Sequence, residues 1–284
     1  MPGASITILK IIATIVGVFI AAALAYPLVY IVAQALIGNP KVLIISIEDL
    51  MRYGLSLENF VYSLKNPEFH RALMNTLVVT SLTVILAIFV IIPSAYAFSR
   101  FEFMGKDTML YYYLIVSQAG GGLGIIAVLA LYIFFLRLAA YGIGLIRIEI
   151  LPFIYVSGLI PFQTWLIKSY FDQLPKELDE ASFIDGADWF TIIFRIVFPA
   201  SKAAFVIITL LAYMSAWGEF IIANIMGLDT LGKYIYAMAV AGESGLMEPG
   251  RFAAAALLYA LPMIVLFIIS QKYIGEAYRL GMKG

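Results

Sequence analysis

The sequence of 284 residues has no cysteine, a single histidine and few charged residues. Without cysteine there is no disulfide framework, thiolate nucleophile or cysteine-ligated metal, and the lone His70 rules out a multi-histidine metal centre. Charged residues make up 13% of the chain, roughly half the share that is usual in soluble proteins. The formal net charge of zero argues against nucleic acid as a partner. These absences indicate that the chain is not a soluble domain.

Long apolar runs are present instead, since 63% of the residues are hydrophobic and the mean hydropathy is +0.98. A helix needs about 20 apolar residues to cross a bilayer. The sequence therefore predicts an all-α, polytopic membrane protein with six transmembrane helices. The first span is interpreted as retained, because its apolar run is too long for a cleaved signal. The expected spans are residues 6–36, 72–98, 108–136, 150–170, 203–228 and 252–273.

The segments between the spans predict the organisation of the chain. Residues 1–40 form an N-terminal transmembrane helix, residues 41–71 an external loop with a short helix near 56–64, and residues 72–284 a core of five transmembrane helices. Six spans place both termini on one side, and the count of basic residues favours that side as cytoplasmic by a small margin. Within the core we expect a polar loop at 174–202, an external loop at 227–251 and a polar tail at 274–284.

The polar loop is the most distinctive stretch, because it holds eight of the 36 charged residues in about a tenth of the chain. Pro175 suits the first turn of a helix. Gly186 interrupts the apolar pattern, and a second amphipathic segment runs from Trp189 to Pro199. Two short helices that meet near a glycine at the membrane surface would form a docking site for another protein. The same pattern also fits an interfacial helix pair that only connects two spans.

The residues of the polar loop carry a resemblance to a known family. The run EASFIDGA from Glu180 to Ala187, with Pro199 twelve residues later, resembles the EAA loop of ABC-importer permeases. Ser182 replaces the second alanine of that motif, and the usual second proline after Pro199 is absent. The resemblance implies a cytoplasmic coupling helix that contacts an ATPase, with Glu180 as the acidic contact. The coupling residues would be Glu180, Ala181, Asp185, Gly186, Ala187 and Pro199.

The resemblance extends from about residue 60 to residue 284. Asn75-Thr76-Leu77 and the run AYAFSR at 95–100 look like the second span of sugar-importer permeases. The run FAAAA at 252–256 and the terminal residues 281–284 resemble the last span and C-terminus of MalG-type permeases. The chain is identified as a member of the MalG-type permeases of carbohydrate ABC importers for maltose, maltodextrin or trehalose.

This resemblance implies the function, the partners and the location. The chain would form half of an oligosaccharide pathway in the prokaryotic inner membrane, with both termini cytoplasmic. Its partners would be a MalF-type sister permease, a cytoplasmic MalK-type ATPase dimer, an extracytoplasmic sugar-binding protein and the lipid bilayer. The chain would be no enzyme and bind no cofactor, because ATP and Mg would be held by the ATPase. Gly281, Lys283 and Gly284 would contact the ATPase, and Glu243, Ser244 and Gly245 the binding protein.

Two features inside the spans leave alternatives open. Glu219 is the only carboxylate within an apolar segment, where a charge costs about 2.5 to 3.5 kcal/mol on insertion scales. It could line the sugar path together with Trp217, or lie near the external end of the fifth span and pair with a neighbouring helix. The glycines in the segment 118–124 are not a P-loop, because no Lys-Ser/Thr follows. They fit a loosened helix or a close approach between helices.

Other transport functions remain open from the residues alone. A secondary transporter often has inverted repeats and several intramembrane ionisable residues, but the sequence shows no repeat and only Glu219 qualifies. An ABC permease for a non-sugar solute is the other alternative. An anionic cargo would call for basic residues within the spans, whereas Lys10, Lys168 and Lys202 lie at span ends.

Overall fold

The computed structural model describes the backbone of residues 2–240 and 247–281, and the side chains of residues 9–118, 124–201, 204–240 and 247–272. This part of the chain is helical, with one isolated antiparallel bridge between Ile37 and Leu55. A 3-10 turn (Ile148–Ile150) precedes α6, and a π-helical segment (Ile192–Val197) joins α8 to α9. The α-helices are α1 (Pro2–Ala35), α2 (Ile47–Tyr53), α3 (Glu58–Lys65), α4 (Pro67–Arg100), α5 (Lys106–Ala140), α6 (Leu151–Phe171), α7 (Glu177–Ile184), α8 (Trp189–Thr191), α9 (Phe198–Ala200), α10 (Lys202–Gly218), α11 (Ile221–Ile225), α12 (Leu231–Val240) and α13 (Pro249–Gly281).

Within the described residues, five helical segments are long and apolar enough to cross a membrane. They are Leu9–Ala35, Pro67–Arg100, Ile148–Phe171, Ala204–Ile225 and Pro249–Lys272. Helix α5 is 35 residues long and has no charged residue between Asp107 and Arg137, so its length and composition fit the remaining predicted span. The predicted all-α polytopic fold is confirmed.

The structure adds detail to three of the predicted elements. The fifth span, predicted at 203–228, is found at Ala204–Ile225, and it is broken because α10 ends at Gly218 and α11 begins at Ile221. The predicted external loop at 227–251 contains α12. The predicted polar tail continues α13 to Gly281, since Tyr273, Ala277 and Leu280 keep a helical spacing.

Two predicted local features are clear in the structure. Helix α3 forms where a short helix was expected, and the Ser56 hydroxyl accepts a hydrogen bond from the Glu58 N–H at 3.1 Å. The glycine-rich segment 118–124 lies within the continuous α5. The glycines therefore do not interrupt the helix.

The chain divides into two compact units, one from residues 1–69 and 235–261 and the other from residues 70–234 and 262–284. In the first unit, the core consists of Ala35, Ala253 and Ala254, with Ile31, Phe60 and Leu257 packed against them. In contrast, the most apolar stretch of α1 buries no residue against the chain. Most of α1 therefore presents its side chains to the surroundings of the protein.

Asn59 and Gly250 lock the C-terminal end of α1 in the first unit. The buried Asn59 amide donates to the carbonyl oxygens of Ala35 at 3.0 Å and Ile37 at 2.9 Å, which satisfies groups that a helix end leaves unpaired. The Gly250 N–H donates to the Pro40 carbonyl at 2.9 Å. A Cβ at position 250 would lie 2.9 Å from both Asn59 Nδ2 and Pro40 Cα. The site has no room for a side chain.

The second unit is packed around α4, α6, α10 and the π-helical segment. Its buried core includes Ile192 and Val197 of the π-helical segment, so the C-terminal part of the polar loop is built into the core. Members of that core include Ala87, Ile91, Ile92 and Tyr96 on α4, Val156, Ile167 and Phe171 on α6, Ile192 and Val197 on the π-helical segment, and Ala204, Ile208 and Ala212 on α10.

Gly250→Ala is expected to lower the melting temperature of the detergent-solubilised protein, because overpacking a tight site costs about 1–3 kcal/mol. Gly158→Ala is the matched control, since no atom lies within 4 Å of a Cβ at that position on α6. In a helix interior, alanine is favoured over glycine by about 0.5–1 kcal/mol, so this control should melt at the same temperature or higher. Equal melting of the two variants in a thermal-shift measurement would contradict the close packing at Gly250.

Candidate docking site

The polar loop folds into two helical segments that meet at Gly186. Helix α7 ends in a Schellman motif, in which the Gly186 N–H donates to the Phe183 carbonyl and the Ala187 N–H to the Ser182 carbonyl, each at 3.0 Å. Gly186 has a φ of +80°, a left-handed conformation that glycine adopts without steric cost. The predicted interruption at Gly186 is confirmed, and the glycine sets the angle between the segments.

Asp188 begins the second segment. Its Oδ1 accepts a hydrogen bond from the Thr191 N–H at 2.9 Å, as an N-cap residue does. Hydrogen bonds from Thr191, first from its side chain and then from its backbone, hold the pKa of Asp188 below its ordinary value. Further along, Pro199 cannot donate to the carbonyl four residues earlier. The turn before it is wound as the π-helical segment, a form often found as a local bulge at functional sites.

A buried ion pair fixes α7 to the end of α4. Asp179 is 7% exposed, and its Oδ2 lies 2.7 Å from Nε of Arg100. The Tyr96 hydroxyl donates to Asp179 Oδ1 at 3.1 Å, and Arg100 Nη2 donates to the Leu174 carbonyl at 3.2 Å. A buried charge is tolerated only when it is paired and hydrogen-bonded. The network therefore holds α7 in one position against α4.

A second polar link joins α4 to the end of α6. The Ser99 hydroxyl donates to Asp172 Oδ1 at 2.7 Å. The other carboxylate oxygen of Asp172 pairs with Nζ of Lys168 at 2.6 Å. The residues directly before the polar loop are thus also held against the end of α4.

Trp189 completes the attachment through aromatic contacts. Its ring packs edge-on against Phe183 of α7, with centroids 4.6 Å apart. It also contacts Phe101 at 5.3 Å and Tyr96 at 6.3 Å. One side chain therefore links both segments of the polar loop to the end of α4.

The opposite side of the loop is open and carries both apolar and acidic groups. Ile184 is 87% exposed, and Phe183 and Phe190 are also exposed. The predicted coupling residues Glu180, Ala181, Asp185 and Gly186 are exposed, Ala187 is half-buried, and Pro199 is exposed on the second segment. Exposed apolar side chains rimmed by charged ones are typical of a protein-docking surface.

Glu219 and Trp217 have contacts within the chain. Glu219 lies in the break between α10 and α11, where its Oε1 accepts from the Ile222 N–H at 2.6 Å. Its Oε2 accepts from the Tyr155 hydroxyl on α6 at 2.6 Å. Trp217 is 1% exposed and stacks on Tyr213 with centroids 5.4 Å apart. This geometry matches the pairing of Glu219 with a neighbouring helix, and a contact of either residue with sugar stays a prediction.

The remaining predicted contact residues are only partly covered by the structure. Gly281 is the last residue of α13. The positions 283 and 284 of the tail, and Glu243, Ser244 and Gly245 of the predicted binding-protein contact, lie outside the described residues. The described part of the chain has no group of His, Cys, Asp and Glu that could hold a metal ion.

The sequence did not reveal the residues that anchor the docking surface. These are Asp179, Arg100 and Tyr96, together with Trp189, whose ring links the two segments of the polar loop to the end of α4. The only available signal was a charged residue, Arg100, directly after an apolar span. Its partner lies 79 positions further on, and no short-range pattern connects the two. Only the folded chain shows that they meet.

Long apolar helices and a firmly anchored, exposed two-helix loop are the features of a polytopic membrane protein with a docking surface. The chain belongs to the family of binding-protein-dependent transport system inner membrane components, which matches residues 72–279. Members of this family are permease subunits, so the chain is a multi-pass membrane component and not an enzyme.

Individual relatives confirm the predicted resemblance to MalG-type permeases. The chain is 28% identical to the trehalose/maltose transport system permease protein MalG of Thermococcus litoralis, over 98% of both chains. It is 32% identical to the maltodextrin transport system permease protein MdxG of Bacillus subtilis, over 70% of this chain and 69% of that protein. A bacterial ABC transporter involved in the import of the acidic polysaccharide alginate has a similar fold, with a TM-score of 0.67, 21% identity and coverage of 94% of this chain and 96% of that one.

Asp179→Asn is expected to destabilise the protein by about 3–5 kcal/mol, because it leaves Arg100 as an unpaired buried charge. Thermal unfolding in detergent should show a clear drop in melting temperature. Glu177→Gln, at an exposed carboxylate on the same helix, is the control and should have little effect. Replacing both partners, as Asp179→Leu with Arg100→Met, should recover most of the loss. A stable Asp179→Asn protein would contradict the anchoring role.

The N-cap at Asp188 predicts a pH dependence. Because the pKa of folded Asp188 is lowered, its contribution is complete above the unfolded pKa of about 3.9 and is lost as the pH falls through the folded pKa. Asp188→Asn keeps the cap but cannot titrate. The difference in melting temperature between wild type and this variant should therefore change as the pH is lowered below about 4. A constant difference across that range would contradict a titrating cap.

Proposed function

We propose that the chain is the transmembrane permease subunit of an ATP-driven, binding-protein-dependent importer for an oligosaccharide of the maltose, maltodextrin or trehalose class. The observation that carries this proposal is the polar loop, an exposed helix pair anchored in the core of a family member. The names of the relatives MalG and MdxG support a carbohydrate cargo. Membership of a binding-protein-dependent family argues against a secondary transporter.

The loop couples the membrane spans to a cytoplasmic MalK-type ATPase dimer. Ile184 and Phe183 supply apolar contact area, and the carboxylates of Glu180 and Asp185 supply charge for basic groups on the partner. ATP and Mg are bound by the ATPase. This arrangement resembles other protein interfaces, in which buried apolar anchors carry most of the binding free energy and a charged rim sets orientation.

Movement of the docked loop reaches three spans directly. The Asp179–Arg100 pair carries it to α4, and the Ser99–Asp172 hydrogen bond joins α4 to the end of α6. The π-helical segment continues through α9 to α10. A rigid loop with attachments to several helices can move them together, so closure of the ATPase dimer would switch the pathway between inward-open and outward-open states.

The other half of the pathway comes from a MalF-type sister permease. Both termini and the polar loop lie on the cytoplasmic side, and the tail residues Gly281, Lys283 and Gly284 reach towards the ATPase. An extracytoplasmic sugar-binding protein docks on the opposite side, where Glu243, Ser244 and Gly245 contact it. Trp217 and Glu219 remain candidates for the sugar path, and a role there requires the break between α10 and α11 to open.

The coupling is tested by an affinity pull-down of the tagged chain from its native membrane. An ATPase should co-purify with wild type and be largely lost with Glu180→Arg, because the reversed charge would repel basic groups on the ATPase. Glu48→Arg reverses another exposed carboxylate, on the predicted extracytoplasmic side, and should retain the ATPase. Equal membrane yields of both variants would show that insertion is intact. Absence of an ATPase from every sample would overturn the importer assignment.

A further inference from the structure

A group of apolar side chains around α2 is exposed in the first unit. Helix α2 buries none of its residues, and Ile45 and Met51 are 87% and 81% exposed. Residues 37–55 form a short hairpin, which is closed by the bridge between Ile37 and Leu55. An exposed apolar surface on this hairpin indicates contact with something apolar. We call this group the α2 patch, and its members are Leu43, Ile45, Ile47, Met51 and Leu55.

The apolar and polar residues of α2 lie on adjacent sides of the helix. At 100° per residue, Ile47 and Met51 are about 40° apart, and Glu48 and Arg52 lie about 100° further round the helix. The start of the helix is well fixed, because Asp49 Oδ2 accepts the N–H groups of Ile45 at 2.9 Å and Ser46 at 3.0 Å. The patch is therefore presented by a defined amphipathic helix.

Hydrogen bonds place the hairpin beside the last turns of α1 and not beyond its end. The Gln34 side-chain amide donates to the Val42 carbonyl at 2.8 Å and accepts from the Ile44 N–H at 2.9 Å. The Tyr30 hydroxyl donates to the Ile44 carbonyl at 3.0 Å. Tyr30 lies five residues before the end of α1, about 7.5 Å back along the helix axis. Helix side chains lean towards the N-terminus, so Ile44 lies at a level within the span.

The other end of the hairpin is also tied to α1. The Ser56 N–H donates to the Leu36 carbonyl at 2.7 Å, and the Gly38 N–H donates to the Gly54 carbonyl at 3.1 Å. The segment that carries α2 is therefore tied to α1 at the level of Tyr30 at one end and just after the end of α1 at the other. Tyr30 contacts Tyr26 one turn earlier, with ring centroids 6.5 Å apart. Tyrosines at the end of a span are typical of the membrane–water interface.

We propose that the α2 patch inserts into the interfacial layer of the leaflet in which α1 ends. Ile45, Ile47 and Met51 contact the acyl chains, while Glu48 and Arg52 lie among the lipid headgroups, as in other interfacial amphipathic helices. The lipid is the occupant because the patch lies at the depth of the last turns of α1 and continues the apolar surface of that span.

The absence of cysteine makes a direct depth measurement possible. Spin labels are attached to Ile47→Cys and Met51→Cys on the patch, and to Glu48→Cys and Arg52→Cys on the polar side of the same helix. The complex that co-purifies with each full-length variant is reconstituted into nanodiscs of phosphatidylcholine and phosphatidylglycerol. Collisions with oxygen and with a water-soluble nickel chelate are compared by electron paramagnetic resonance. The cysteine-free parent chain corrects for labels on other subunits.

Labels at positions 47 and 51 should have an oxygen-to-nickel collision ratio severalfold higher than labels at 48 and 52. Equal ratios at all four positions would overturn the proposal. Nickel access at 47 and 51 that is lost only when the binding protein is added would also overturn it, and would assign the patch to protein docking. The comparison of the four labelled positions needs no ATP, sugar or binding protein, so its outcome is independent of the proposed transport function.

Discussion

The buried ion pair between Asp179 and Arg100 is the interaction on which the docking site depends. The Asp179 carboxylate is shielded from water, and it is paired with Arg100 at 2.7 Å and accepts a hydrogen bond from the Tyr96 hydroxyl, as a buried acidic group requires. Such pairs contribute less to stability than to a single arrangement of the groups around them. Here that arrangement determines which side of α7 faces outward, and so which residues are available to a partner.

The two faces of α7 have separate tasks. The buried face carries Asp179 and Ser182 and is committed to contacts within the chain. The exposed face carries Glu180, Asp185 and Ile184, which have no structural task of comparable weight. A coupling element needs both an exposed face and a buried face. The partner binds the exposed face, and the buried face transmits the movement of the partner to the membrane spans. The proposed ATPase contact and the observed anchor are therefore two sides of one short helix.

Glu219 illustrates how the protein accommodates a charge inside an apolar segment. Glu219 directly follows α10, and its carboxylate accepts hydrogen bonds from the Ile222 N–H at the start of α11 and from the Tyr155 hydroxyl. A backbone group at the helix break and a polar side chain from α6 thus replace water around the carboxylate. The break in the span and the charge within it are therefore accommodated by the same hydrogen bonds.

The sequence by itself determined the all-α fold, the six spans, the bend at Gly186 and the family, because each depends on local composition, helical period or a short motif. Only the tertiary structure decided that Asp179 meets Arg100, that Glu219 caps a broken helix, and that the α2 patch lies beside the last turns of α1. These contacts join residues that are far apart in the chain or depend on how a segment folds back. The sequence around a polar residue looks the same whether that residue is bonded to water or to a buried side chain. Only the packing of the folded chain determines which partner it has.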